Sequence, residues 1–253
     1  MSEKSKNSKR FPAEIFDVTL TRIVDFGNET KEFQLSLDSG KSICFLPGQF
    51  VVVLCPQEKK VIRRAYSVAS PPSKGTSSPR QAGRIDLVIK LVEGGVVTNW
   101  FWSLKEGDSL QVHGPFGKFV LPEPIETDLV FIATGTGIAP FRSMAHQLLK
   151  NGLSENITLL FGARYDHQIP YDKEFLQLAD AHDNFIYIPT ISRPRPEWSG
   201  ETGYVQTKVE KFFSDPEGKQ VYICGLTEMI EAVQENCLAQ GFEKDQIFYE
   251  KYD

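Results

Sequence analysis

Three short stretches combine residue types that suit a phosphorylated, ring-bearing ligand. Residues 133–144 read ATGTGIAPFRSM. The run before them, DLVFIA, is apolar and β-branched enough for a buried strand, and FRSMAHQLLK after them has helical spacing. Glycines in such a strand–turn–helix let the backbone approach a pyrophosphate, and the helix start offers it unpaired N–H groups. Thr136 and Gly137 are the candidates for that contact. The last glycine of G-x-G-x-x-G is replaced by Pro140, which suits the first helical turn, where its missing N–H has no intrahelical partner. A plain tight turn is the alternative reading.

The second stretch is RRAYSVAS at 63–70. Arg64 suits neutralising a phosphate, Tyr66 offers a flat ring for stacking, and Ser67 offers a hydrogen bond. Strand alternation puts Arg64 and Tyr66 on one side of a sheet. An ordinary strand with one exposed arginine is the bland alternative. The third stretch, Gly94-Gly95-Val96-Val97-Thr98-Asn99, leads glycines into a helix with a hydroxyl at its start, either a second anion seat or only a cap.

The elements that position these stretches fall into two textures. From Ile15 to about Leu121, short strand-like runs (EIFDVTLTRIVDF, TKEFQLSLD, QFVVVLC, RAYSVAS, RIDLVIKLV, SLQVHG) are separated by turn-rich pieces. Several alternate apolar with polar, the mark of antiparallel strands with one wet face. Six such runs and one short helix, Val97–Leu104, predict a closed or partly closed β-barrel. From Asp128 onward apolar strands alternate with helical patterns near 140–150, 172–181, 204–213 and 226–240, the rhythm of a doubly wound parallel α/β sheet. The expected layout is a tail at 1–10, a barrel domain at 11–124 and an α/β domain at 125–253, joined through the proline-broken LPEPIET.

The bulk properties exclude several classes. The chain has 253 residues and a formal charge of −5, which gives no electrostatic case for nucleic acid. No apolar run is long enough to span a bilayer, and MSEKSKNSKR lacks the apolar core of a signal peptide, so the expected location is cytoplasmic. The four cysteines match no zinc or iron–sulfur spacing, and the four histidines are scattered, so no metal is expected.

Together these motifs, in this order, make the chain resemble the ferredoxin–NADP reductase family from about Phe11 to the C-terminus. Arg64-Ala65-Tyr66-Ser67 looks like the family's R-x-Y-S flavin motif. The resemblance implies that Tyr66 lies against the isoalloxazine ring of FAD, Ser67 faces its reactive N5 region, and Arg64 holds its pyrophosphate. Gly95-Val96-Val97-Thr98-Asn99 is similar to the second flavin motif, which makes Gly95, Val97 and Thr98 FAD contacts. Gly114-Pro115-Phe116-Gly117-Lys118 resembles the stretch that ends the barrel. Gly135 to Ser143 matches the nicotinamide-nucleotide loop, and Cys224-Gly225-Leu226 with Met229 resembles the segment whose cysteine sits beside the nicotinamide.

The same resemblance bears on the choice of nucleotide. Ser192 and Arg193, with Tyr204 and Gln206 of Tyr-Val-Gln-Thr, look like the grip on the 2′-phosphate of NADP, and Arg193 is physically suited to it. The Pro…Trp-x-Gly-x-x-Gly pattern within ISRPRPEWSGETGYV instead resembles NAD-using relatives, so NADP is expected with NAD as the alternative. At the C-terminus, Glu250 and Tyr252 match the family's ending, with Tyr252 over the flavin, but one further residue follows, as in oxygenase reductases.

The implied activity is hydride transfer between NADP(H) and FAD, with single electrons passing to a separate carrier such as ferredoxin or flavodoxin. Ser67, Cys224, Glu250 and Tyr252 are the residues expected around the transfer. The alternatives are an NADH-dependent reductase component of an oxygenase or a cytochrome reductase and, from another class, a flavin-binding subunit without turnover of its own. The motifs leave the oligomeric state open.

Overall fold

The structure, a computed structural model, describes residues 11–27, 29–38, 40–72 and 81–252. The tail read at 1–10 and the residue after Tyr252 lie outside the described residues. The first half forms strands β1 (Glu14–Gly27), β2 (Thr30–Leu37), β3 (Ile43–Cys44), β4 (Phe50–Gln57), β5 (Lys60–Ser67), β6 (Gln81–Ala82), β7 (Arg84–Lys90) and β8 (Ser109–Phe116). Six of them make one antiparallel sheet in the order β5-β4-β8-β1-β2-β7. The two edges curl together: Val68 bridges to Leu87, and Ala69 N–H donates to Asp86 O at 2.8 Å. The expected partly closed barrel is therefore present.

Its interior is filled by the alternate residues of each strand, among them Val18, Leu20, Phe33, Leu35, Val51 and Val53. Removing each such side chain from water stabilises the fold by about 1.5–3 kcal/mol. Helix α1 (Val96–Ser103) plugs one end, its buried Phe101 ring 4.8 Å from Phe33 and 5.6 Å from Tyr66. The expectation of one wet face fails in β7, where Ile85 to Ile89 are all buried. The second domain covers its outer face, so Val88 packs into that domain's core instead of meeting solvent.

The second half has strands β9 (Asp128–Thr134), β10 (Ile157–Ala163), β11 (Phe185–Ile191), β12 (Glu201–Thr202), β13 (Lys219–Gly225) and β14 (Ile247–Lys251). They form an all-parallel sheet in the order β12-β11-β10-β9-β13-β14. Helices α2 (Ile138–Lys150), α3 (Asp172–Ala181), α4 (Val209–Phe212) and α5 (Thr227–Ala239) complete it, with one apolar cluster on each face of the sheet, as a doubly wound fold requires. The helix expected over 204–213 is instead a 3-10 turn, Val205–Lys208, running into the four-residue α4. Two sets of bonds explain the difference, one local and one from α5. Thr207 Oγ1 and N–H both donate to Tyr204 O, and Asn236 Nδ2 takes Gln206 O, diverting two carbonyls from the α-helical ladder. Among the described residues no helix is long and apolar enough to cross a membrane.

Strand order decides where a ligand sits. The chain starts at β9, builds outward to β10 and β11, then crosses to β13 on the other side. The carboxyl ends of β9 and β13 flank that switch point, where open α/β sheets bind their ligands.

Candidate active site at the cleft between the domains

The two loops at the switch point are pressed together. After β9, Gly135–Gly137 makes a 3-10 turn that enters α2 at Ile138, and Pro140 occupies the first helical turn as expected. Gly135 has φ +56° with no atom within 4 Å of where a Cβ would stand, so the turn presents bare backbone to open space. Gly137 is required for the opposite reason: a Cβ there would lie 2.3 Å from Cys224 O and 2.7 Å from Cys224 C. Gly225 is equally confined, since its Cβ would meet Thr134 Oγ1 at 2.5 Å.

Register then brings β14 into the same place. Cys224 pairs with Ala133 on one side and Glu250 on the other, and Tyr252 N–H donates to Gly225 O at 3.0 Å. From the barrel, Ser67 at the end of β5 donates its hydroxyl to Glu250 Oε2 at 3.2 Å, bridging the domains. Ser67, Cys224, Glu250 and Tyr252, which lie far apart in sequence, thus converge. Beyond Glu250 a cavity of about 380 Å³ lies between Lys118–Val120 and β14.

Burial disfavours charge throughout this cluster. The Glu250 carboxyl is pushed up to about 7 because burial outweighs the Ser67 hydrogen bond. The Cys224 thiol and the Tyr252 phenol are raised well above their ordinary values, first by burial; Glu250 then raises the thiol, and Cys224 and Glu250 raise the phenol. The sign of the Glu250 contribution to stability follows. The folded chain holds this proton up to about pH 7 while the unfolded chain releases it near its ordinary value of 4.5. Stability is therefore lost as pH rises through that window, by roughly 2 kcal/mol after allowance for solvent at the cleft. Glu250→Gln in the flavin-free protein is expected to remove this loss, so that the variant gains on the wild type between pH 4.5 and 8 in urea melts. Parallel pH profiles for the two proteins count against a buried, proton-holding Glu250.

On the barrel side, Tyr66 is braced edge-on by Phe101, while the exposed Arg64 donates to the neighbouring Arg63 carbonyl at 3.0 Å. Thr98 differs from its expected place at the helix start. It is the third residue of α1, and its hydroxyl accepts from Val92 N–H at 3.2 Å and lies 3.2 Å from Gly95 O. Gly95, whose Cβ would lie 2.6 Å from Thr98 Oγ1, is the residue at the cap, and no side chain caps it. Thr98 therefore staples the turn, leaving the N–H groups around Val96 and Val97 free for an anion.

At the far edge, Ile191 pairs with Thr202, so Ser192-Arg193 and Gly203-Tyr204 leave the sheet side by side. Arg193 is exposed and has no carboxylate partner among the described residues, whereas Arg195 is tied to Asp166 at 2.6 Å. Tyr204 is 66% exposed, and Gln206 lies in the turn after it, its carbonyl held by Asn236.

Unspent polar atoms test whether these surfaces fit a flavin and a dinucleotide. The hydroxyl of Thr134, directly before Gly135, is buried without a hydrogen-bond partner among the described residues. The backbone N–H groups at the start of α1 and in the Gly135–Gly137 turn, Arg64 and Arg193 with no carboxylate partner among the described residues, and the Thr134 hydroxyl fit two phosphorylated, ring-bearing cofactors.

The sequence reading missed one set of residues altogether. Arg142, quoted within the nucleotide loop but given no role, meets Asp86 and Glu32 across the domain interface and Glu174 within its own domain. Strand alternation hid them: Glu32 and Asp86 alternate with the inward Phe33, Leu35, Ile85 and Leu87 and so read as a wet face, yet they are 3% and 0% exposed because the second domain covers that face. A charge buried there demands a partner.

Comparison with known proteins agrees with this geometry. The profile of the oxidoreductase FAD-binding domain matches residues 17–121, and that of the oxidoreductase NAD-binding domain matches residues 131–235. Ferredoxin–NADP reductase B of Sorangium cellulosum (strain So ce56) is 34% identical over 95% of this chain and 99% of its own length. The reductase component of phenol 2-monooxygenase from Pseudomonas sp. (strain CF600) is also 34% identical over 95% of this chain, which spans 66% of that protein. Among solved structures, the Amycolatopsis cytochrome P450 reductase GcoB superposes with TM-score 0.84 at 26% identity, covering 95% of this chain and 70% of GcoB. A ferredoxin NADP+ reductase from Neisseria gonorrhoeae with bound FAD and NADP superposes with TM-score 0.81 at 22% identity, covering 94% of this chain and 98% of that one, and shows the shared fold. The barrel, the parallel sheet and the near full-length likeness to a reductase lead to one conclusion: the chain belongs to the ferredoxin–NADP reductase family of FAD-dependent oxidoreductases.

Proposed function

We propose that this chain transfers a hydride between NADP(H) and FAD, and single electrons between FAD and a separate carrier protein, ferredoxin or flavodoxin. The observation that carries it is the convergence of Ser67, Cys224, Glu250 and Tyr252 at the junction of the two cofactor domains. The near full-length likeness to a ferredoxin–NADP reductase supports the choice of carrier.

FAD, when bound, supplies the exchange between two-electron and one-electron chemistry. The protein's part is binding, orientation and proton control. Arg64 and the N-terminus of α1, with Gly95, Val97 and Thr98, hold the FAD pyrophosphate, and Tyr66 is the platform for its ring. Gly135–Gly137, with Thr136 and Pro140, holds the pyrophosphate of the nicotinamide nucleotide. Ser67 and Glu250 form a short path on which a proton is held close to neutrality, and the neutral Cys224 thiol packs without adding a second negative charge beside Glu250. Tyr252 keeps water out of the cleft until the nicotinamide takes its place.

Arg193, stacked or bidentate, grips the 2′-phosphate beside Ser192, Tyr204 and Gln206. Replacing Arg193 with alanine is expected to raise the KM for NADPH about tenfold or more while leaving that for NADH unchanged, the usual cost of one charge-assisted contact. An unchanged preference in steady-state assays rejects this role.

A second reading is an NADH-dependent reductase component of an oxygenase or a cytochrome reductase. Asp166 withdraws Arg195 from any phosphate, and Trp198 folds back on Gly200 and donates to Glu201 O at 2.9 Å, in the pattern resembling NAD-using relatives. The phenol 2-monooxygenase reductase is also as similar as the ferredoxin reductase in percentage identity. Steady-state rates with NADPH and NADH against ferredoxin, flavodoxin and cytochrome c separate the two. NADPH with ferredoxin or flavodoxin as the best pair supports the first reading; NADH with reduction of neither carrier overturns it.

A further inference from the structure

The Arg142 cluster is not used by the chemistry above, yet it joins the two cofactor sites. Arg142 is 13% exposed and lies in α2, whose N-terminus is the Gly135–Gly137 loop. Its Nη1 donates to Ala69 O at 3.3 Å and meets Asp86 Oδ2 at 3.3 Å, both in the barrel domain. Its Nε and Nη2 take both oxygens of Glu174 at 2.7 and 3.1 Å, and the guanidinium stacks 4.3 Å over Tyr171, whose hydroxyl donates to Glu32. The next residue repeats the link: Ser143, fully buried, donates to Ser70 O at 2.9 Å. Ala69 and Ser70 directly continue the strand that ends in Ser67.

Two rigid paths therefore meet at one side chain. One runs from Ser67 through Val68 to Ala69, the other from Gly137 along the first turn of α2 to Arg142. Buried ion pairs add little net stability compared with apolar packing, but a fork-shaped guanidinium fixed at five points sets a geometry that apolar contacts leave loose. We propose that Arg142, with Ser143, is a positioning residue for hydride transfer: it sets the separation and angle between the nucleotide loop and the flavin strand. This rests on the proposed transfer between NADP(H) and FAD, and it deepens that reading by naming what holds the two rings in register. A shift of about 1 Å in such a register can cost as much as 10²-fold in rate.

The test uses the flavin-loaded full chain and the variants Arg142→Gln, Arg142→Lys and Ser143→Ala. The readouts are FAD content, Kd for NADP+, the anaerobic rate of flavin bleaching by NADPH, and amide hydrogen exchange at residues 67–70 and 137–143. Arg142→Gln is expected to keep FAD and to bind NADP+ within about twofold, yet to bleach at least about tenfold more slowly, with faster exchange in both segments. Arg142→Lys recovers part of the rate. Ser143→Ala, which strands no buried charge, slows bleaching about threefold and decides the matter if Arg142→Gln loses its flavin. Wild-type bleaching rates in Ser143→Ala and in whichever Arg142 variants retain FAD overturn the proposal, whatever their melting temperatures. Failure of the wild type itself to bleach strikes the functional reading instead. In that event unchanged exchange at both segments in the variants overturns the positioning role, and faster exchange upholds the link between the two sites.

Discussion

Gly137→Ala is expected to slow flavin reduction by NADPH about 10²-fold and to destabilise the protein by about 1–3 kcal/mol. The glycine has an ordinary φ of −62°, so backbone strain plays no part. The obstacle is space: the new methyl group would stand 2.3 Å from Cys224 O, 2.7 Å from Cys224 C and 3.0 Å from Gly225 N, all of them backbone atoms of a sheet strand. No rotamer change relieves backbone, so the nucleotide loop must back away from β13 by about 1 Å to reach ordinary van der Waals separation. That movement carries the pyrophosphate seat away from Cys224. Gly135→Ala is the control. Its methyl group meets nothing within 4 Å, so the variant is expected to lose only about 1–2 kcal/mol to its left-handed φ of +56° and to leave the loop against Cys224. Urea melts and anaerobic stopped-flow traces on both variants give the comparison; a faster-reacting Gly137→Ala than Gly135→Ala contradicts the packing argument.

The second large effect is expected at Ser67. Its hydroxyl is the side chain that donates to Glu250, across the domains and at a carboxyl that burial has pushed up to about 7. Ser67→Ala removes that donor and breaks the path by which a proton is held near the flavin position. A loss of about 10²-fold in the rate of flavin reduction is expected, the lower end of what a positioned acid–base group contributes. FAD content stays near one per chain, because Arg64, Tyr66 and the α1 N-terminus are untouched. Ser67→Thr, which keeps the hydroxyl, is expected to recover much of the rate. A Ser67→Ala protein as fast as the wild type removes Ser67 and Glu250 from the mechanism.

How far the sequence could be read depended on whether a feature was local. The strand-to-helix switch around Gly135 to Pro140 was legible because turn and helix chemistry reside in adjacent residues. The six barrel runs and the βαβ rhythm were legible because burial on one face imposes a period on each element. The position of Thr98 was less so, because a hydroxyl near a helix start reads the same whether it caps the helix or staples the preceding turn. The helix expected at 204–213 is broken by one local bond at Thr207 and one from Asn236, 30 residues away, and a periodic pattern displays neither. The meeting of Ser67 with Glu250 followed only from family likeness, since 183 residues separate them and only strand order brings them together. Arg142 was in plain view and went unassigned. Its partners Glu32 and Asp86 sit on the outward face of β2 and β7, where charges read as solvated, and what covers that face could not be seen before the domains were docked.

The central claim is that a hydride crosses at the Ser67–Cys224 junction between a nicotinamide and FAD held by this one chain. Anaerobic rapid mixing of the flavin-loaded protein with NADPH, and with NADPH deuterated at the transferring C4 position, tests it most directly. The account predicts bleaching of the flavin band in a single turnover, slowed by deuterium, and slowed further by Ser67→Ala. A fully loaded, folded protein whose flavin is bleached by dithionite but by neither NADPH nor NADH contradicts it.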